Sequence, residues 1–145
     1  MSAAKVSDRI AKKRLLELAN FLENDVPSEH FDFRTFGSTN GNEKPGTDAL
    51  AEPNLCGTKA CALGWAPALP FAKRLGYKLQ VMKDGSVNFT RNGRAIGVFH
   101  VAKALFGLKS AQADMIFFGS ILQQDDDSVY GVARGIRTFV QARFG

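Results

Sequence analysis

The stretch Tyr77-Lys78-Leu79-Gln80-Val81-Met82-Lys83-Asp84-Gly85-Ser86-Val87-Asn88-Phe89-Thr90-Arg91 decides between an all-helical chain and a mixed one. Polarity alternates on both sides of Lys83-Asp84-Gly85, and Asp-Gly is a strong signal for a tight turn between antiparallel strands. Asn92-Gly93 follows as a second tight turn, and 95–97 has room for a short third strand. Everything outside this region reads as helix or loop. The expected fold class is therefore α+β: mainly helical, with about five helices and a small antiparallel hairpin or meander near residues 77–97.

Outward to the N-terminal side, Pro70 suits the first position of a short helix over 71–75, which Gly76 ends. Before it, Ala60, Ala62, Gly64 and Ala66 give a small-residue helix that begins near Thr58 and breaks at Pro67. Residues 37–54 are Gly, Asn, Thr, Pro and charge without periodicity, which predicts a flexible loop of a length usually reserved for function, such as a flap over a site. Phe31, Phe33 and Phe36 are apolar pins for the irregular stretch ahead of it. The first element is a helix over 7–24, with Ser7 as its N-cap and Pro27 beyond its end. Ile10, Leu15, Leu18, Ala19 and Leu22 form its apolar face, while Lys12, Lys13, Arg14 and Glu17 fill the remaining arc.

On the C-terminal side the pattern is helical throughout. Apolar residues at 98, 101, 102 and 105 predict a helix that stops at Gly107. A second runs over 110–118, with Ser110 as cap and Gly119 as stop. Ser128 opens the last, with Val129, Val132, Ala133, Ile136, Phe139 and Val140 on one side. The preceding Asp125-Asp126-Asp127 suits that helix's positive end.

The chain's 145 residues fit one domain, 1–145. Twelve Phe against one Trp and two Tyr favour a core of rings that need no hydrogen-bond partner. No apolar run is long enough for a secretory signal or a membrane span, so a cytoplasmic setting, with reduced cysteines, is expected. Charge is unevenly placed: residues 1–50 hold seven Lys/Arg against eight Asp/Glu, and residues 51–145 hold twelve against six. A basic region of that kind favours anionic partners, or is simply a solvated surface.

Cys56-Gly57-Thr58-Lys59-Ala60-Cys61-Ala62-Leu63-Gly64-Trp65-Ala66 is the segment with the most chemistry. With the later Leu105-Phe106-Gly107-Leu108 and Gln112-Ala113, it resembles small uncharacterised proteins of bacteriophages and prophages. That resemblance implies a phage-like origin, hence the host cytoplasm and an action on host systems, and implies no activity.

Three readings of the segment compete. Cys56 and Cys61 with His30 and His100 are metal ligands by type, but their spacing is poor for a site, and no metal or other cofactor is expected. Cys56 before a helix start is a candidate thiol nucleophile with His30 or His100 as base; buried packing is the ordinary role of such thiols. Gly57, Thr58 and Lys59 at a helix start would present backbone N–H groups and one positive charge to an anion, where an ordinary N-cap uses the same residues. Arg91 and Arg94 flank the Asn92-Gly93 turn and suit a phosphate. Arg134 and Arg137 lie one turn apart, and Trp65 is a candidate stacking ring or a core residue.

The candidate ligand-binding set is thus Gly57, Thr58, Lys59, Trp65, Arg91, Arg94, Arg134 and Arg137, with no catalytic residue assigned. The favoured expectation is a phage-like, anti-defence binding protein for an anionic ligand such as a host cyclic nucleotide. A homo-oligomer is its expected binding form, because one small domain has little room for a deep pocket. The alternatives are an inhibitor that binds a host defence enzyme and a thiol-dependent enzyme, with enzyme the less favoured class.

Overall fold

A computed structural model describes residues 6–31, 46–50, 60–84, 86–117 and 128–145. Among these, the order is α1 (Asp8–Asp25), a 3-10 turn (Ser28–His30), α2 (Ala62–Trp65), a second 3-10 turn (Ala66–Ala68), α3 (Pro70–Arg74), β1 (Tyr77–Val81), β2 (Val87–Arg91), β3 (Arg94–Ala95), α4 (Val98–Phe106), α5 (Ser110–Phe117) and α6 (Val129–Phe144). The fold is α+β and mainly helical, with one small antiparallel sheet.

Local chemistry sets most of the helix ends. The Ile10 N–H donates to Ser7 Oγ at 3.2 Å and the Gly131 N–H to Ser128 Oγ at 3.1 Å, so both long helices start on side-chain caps. Each such cap is worth about 1 kcal/mol relative to Ala. Gly107 ends α4 in the left-handed region at φ 67°, where a side chain would strain the backbone, and its N–H donates to Lys103 O at 2.9 Å.

α1 and α6 form the central pair. Leu15, Leu18 and Leu22 of α1 are fully buried, as are Val132, Ala133 and Ile136 of α6. Burying a leucine of this kind contributes about 1.5–3 kcal/mol. The two helices run antiparallel, with Arg143 of α6 beside Asp8 and Arg137 beside Asn20 and Glu23. α4 lies against α1, and α5 bridges α4 and α6. Phe106 links this layer to its neighbours, its ring 6.1 Å from Phe71 on α3 and 6.0 Å from Phe117 on α5.

The sheet has the order β1-β2-β3, with Tyr77 opposite Arg91, Leu79 opposite Phe89 and Val81 opposite Val87. Tyr77, Leu79, Val81 and Phe89 are buried in the same core as the helices. The other face carries a polar chain in which the buried Thr90 hydroxyl donates to Gln80 Oε1 at 2.6 Å and Gln80 Nε2 donates to Gly46 O at 2.9 Å.

Several expectations are corrected. The small-residue helix starts at Ala62 rather than near Thr58, because Ala60 bridges Phe31 and Cys61 is extended, at φ −77° and ψ 179°. A tertiary pairing of the backbone has overridden the local preference for helix. Leu15, Leu18, Ala19 and Leu22 form the buried face of α1 as expected, but in the first turn Ile10 is exposed and Ala11 is buried instead. Ser110 is the first helical residue and not the cap: Ala113 N–H donates to Lys109 O, and Gln112 Oε1 accepts from Lys109 N–H. The third strand is Arg94–Ala95 rather than 95–97.

Within the expected 37–54 loop, residues 46–50 are held against the free edge of β1. Gly46 N–H donates to Val81 O, Val81 N–H to Thr47 O and Ala49 N–H to Leu79 O, at 2.7–2.9 Å. The rest of that loop, Phe33, Phe36, Gly119 and Asp125–Asp127 lie outside the described residues. Among the described residues, no helix is long and apolar enough to cross a membrane.

Candidate anion-binding site

The β2–β3 turn is built to hold two arginines side by side. Asn92 and Gly93 have φ of 52° and 86°, the doubly positive pattern of a two-residue hairpin turn. Arg91 and Arg94 are therefore directly opposed across the strands, with Cβ atoms roughly 4.5–5.5 Å apart. Arg94 is exposed; Arg91 is half-buried and anchored. Its Nε donates to Leu75 O at 3.0 Å, and its guanidinium carbon lies 5.1 Å from the centre of the Tyr77 ring.

The turn is locked onto the α3–β1 corner. Asn92 N–H donates to Gly76 O at 3.1 Å, and the Asn92 carboxamide lies where a Cβ at Gly76 would be, 2.3 Å from its Oδ1. Gly76 itself turns the chain at φ 88°. This brings Arg74, the exposed last residue of α3, to the same end of the sheet as Arg91 and Arg94.

A fourth arginine comes from α1. Arg14 donates from Nη1 to Leu105 O at 2.9 Å and places its guanidinium 4.5 Å from the centre of the Phe71 ring. Burial lowers its pKa below the ordinary arginine value; Glu17 opposes that shift, the positive charge of Arg74 adds to it, and the Tyr77 phenol opposes it weakly. Arg74 and Tyr77 are each within electrostatic reach of Arg14. The guanidinium stays protonated at any physiological pH, because an arginine starts far above that range.

Of the four arginines, Arg91 lies over the buried Tyr77 ring, Arg94 opposes Arg91 across the turn, Arg14 lies over Phe71 and Arg74 ends α3. Among the described residues none of the four forms a salt bridge; the ion pairs that do form are Arg137–Glu23 and Arg143–Asp8. Chemically, this end of the sheet offers fixed N–H donors and positive charge, with the Glu17 carboxylate within electrostatic reach of Arg14. Its chemistry is that of holding an anion.

The sequence candidates fall into three groups. Arg91 and Arg94 are brought together. Trp65 is buried, its indole N–H donating to His30 O at 3.1 Å and its ring 6.2 Å from that of Phe21, so it offers no face for stacking. Arg137 spans α1 and α6, bonded to Asn20 and Glu23, while Arg134 is exposed on α6. Gly57, Thr58, Lys59 and Cys56 lie outside the described residues. Cys61 is buried at the start of α2 and His100 is exposed on α4. Among the described residues, no group of three or more His, Cys, Asp or Glu is placed to hold a metal.

Arg14, Arg74 and Tyr77 were not among the candidates. Arg14 had a readable signal: it lies three residues after Ala11 and four before Leu18, on the border of the apolar stripe and not on the outer arc. An arginine there buries its stem and aims its head at a neighbouring element. Arg74 and Tyr77 carried no such mark.

No family model, no curated protein and no solved structure matches this chain.

Proposed function

We propose that this chain is a binding protein for a small phosphate-bearing anion. One observation carries the reading: Arg91 and Arg94 are opposed across one turn beside Tyr77, with Arg14 and Arg74 on helices α1 and α3, and none of the four has a salt-bridge partner among the described residues. Two of them are pre-positioned by hydrogen bonds to backbone carbonyls, so little side-chain entropy remains to be lost on binding. The excess of positive charge over residues 51–145 supports the same class of partner. The phage-like motif around Cys61 supports a role in sequestering a host nucleotide signal, and an oligomer would join two such surfaces.

The test is calorimetric titration with linear and cyclic nucleotides at low ionic strength. Charge-assisted hydrogen bonds contribute about 1.5–3 kcal/mol each, so Arg91→Ala should weaken binding by roughly ten- to a hundredfold. Binding should weaken as salt is raised. If no nucleotide binds at high micromolar concentration, the reading is wrong, and an acidic protein surface becomes the partner to test.

A further inference from the structure

We infer that the Arg91–Arg94 turn selects a terminal phosphate, a phosphomonoester dianion, over a phosphodiester. This rests on the anion-binding reading above and specifies its ligand class. The strand register sets the geometry. Tyr77 is opposite Arg91 and Arg91 is opposite Arg94, so all three side chains leave the sheet on one face. It is the face that buries Tyr77, Leu79 and Phe89. The turn closes the sheet there, and the Asn92 N–H bond to Gly76 O holds it in place. Two arginines thus leave the backbone side by side at the end of the sheet, neither with a salt-bridge partner among the described residues.

The two differ in freedom. Arg91 is fixed: its Nε donates to Leu75 O at 3.0 Å, and its guanidinium carbon lies 5.1 Å from the centre of the Tyr77 ring. Both of its Nη groups remain for a ligand. Arg94 is exposed, so its fork can close on an anion that Arg91 already holds. Arg14 takes no part in the pair: it bonds Leu105 O and lies over Phe71, with the Glu17 carboxylate in electrostatic reach.

Like charges directly opposite one another are destabilising, so the anion that contributes most is the one that cancels both. A terminal phosphate carries about −1.5 to −2 charge at pH 7 and three acceptor oxygens. A diester carries a single negative charge and has two unesterified oxygens. Two guanidinium forks that each grip two oxygens need three of them, one being shared, and a phosphomonoester supplies that set. A diester fills one fork and leaves the second cation uncancelled.

Calorimetric titration of the full chain with paired linear and cyclic monophosphates of adenosine, guanosine, cytidine and uridine tests this. The members of a pair share base and sugar, so their difference reads the phosphate. At about pH 7.5, above the second phosphate pKa of about 6, the linear member should bind about tenfold or more tighter than the cyclic one. Arg94→Ala, at an exposed turn position, should weaken the linear member by about tenfold and bring the pair within about threefold, with folding checked by circular dichroism. Arg94→Lys, which keeps the charge and loses the fork, should restore only part of the preference. Arg137→Ala should leave it unchanged. A cyclic member that binds as tightly as its linear partner overturns the inference and leaves the proposed function standing. A preference that survives Arg94→Ala overturns the placement at the turn, and full restoration by Arg94→Lys overturns the paired forks. Failure of every member at high micromolar concentration overturns the function itself.

Discussion

Replacing Gly76 by alanine would test how the two arginine-bearing corners are joined. The methyl group meets two separable penalties. At φ 88° an L-residue is strained, which costs about 1–2 kcal/mol. The new Cβ also falls 2.3 Å from Asn92 Oδ1 and 3.0 Å from Asn92 Cγ, so that carboxamide must move. Asn92 is exposed, and displacing its side chain to a poorer rotamer costs about 0.5–1.5 kcal/mol. Gly76→Ala should therefore destabilise by about 1.5–3.5 kcal/mol, with the thermal midpoint falling by about 2–4 °C per kcal/mol at this chain length. Asn92→Gly alone should be close to neutral, since glycine accepts φ 52° freely. In the Asn92→Gly background only the backbone penalty remains, so Gly76→Ala should cost about 0.5–1.5 kcal/mol less there. Urea denaturation followed by the fluorescence of Trp65, the one tryptophan, gives all four stabilities. Equal costs in the two backgrounds, within about 0.3 kcal/mol, would refute the contact. A neutral Gly76→Ala would refute the positive φ as well.

Phe106→Ala should cost about 3–5 kcal/mol, because the ring is fully buried between Phe71 and Phe117; a loss below about 1.5 kcal/mol in urea would contradict that packing. Arg137→Ala should destabilise by no more than about 1 kcal/mol, since Arg137 and Glu23 are each more than one-third exposed and solvent screens the pair; a loss of several kcal/mol would mean the α1–α6 seam depends on it. Asp84 has its pKa lowered by hydrogen bonds from the Ser86 hydroxyl and then the Ser86 backbone N–H. The folded chain therefore favours the ionised carboxyl above the ordinary carboxylate range and loses that preference as pH falls through the lowered value. Ser86→Ala should raise the Asp84 midpoint toward the ordinary carboxylate range, and an unchanged carboxyl titration by NMR would show that Ser86 is not the cause.

The features legible in the sequence are those decided by neighbouring residues. Ser7 and Ser128 cap helices because their hydroxyls reach an N–H three residues on, and Asn92-Gly93 makes its turn whatever surrounds it. Gly107 stops α4 on the same local ground. What escaped is what distant residues decide. The start of α2 depends on Ala60 pairing with Phe31, 29 positions earlier, which holds Cys61 extended. The pairing of residues 46–50 with β1 is carried by backbone groups, so side-chain pattern scarcely marks it. Half of the arginine cluster was visible as Arg91 and Arg94, because one turn presents both. Arg14 and Arg74 belong to different helices, and only the packing of α1 against α4 and of α3 against the sheet brings them in.

The pairing of α1 with α6 has a consequence in time. Arg137 bonds Asn20 across 117 residues of chain, so α1 is synthesised long before its partner exists. At about 5–20 residues per second, roughly 6–23 s separate the two during translation. For that interval Leu15, Leu18 and Leu22, fully buried in the finished fold, have no α6 to cover them. Until α6 arrives, the nascent helix is an exposed apolar stripe flanked by Lys12, Lys13 and Arg14, whose charges favour solvent over the stripe of a neighbouring nascent chain.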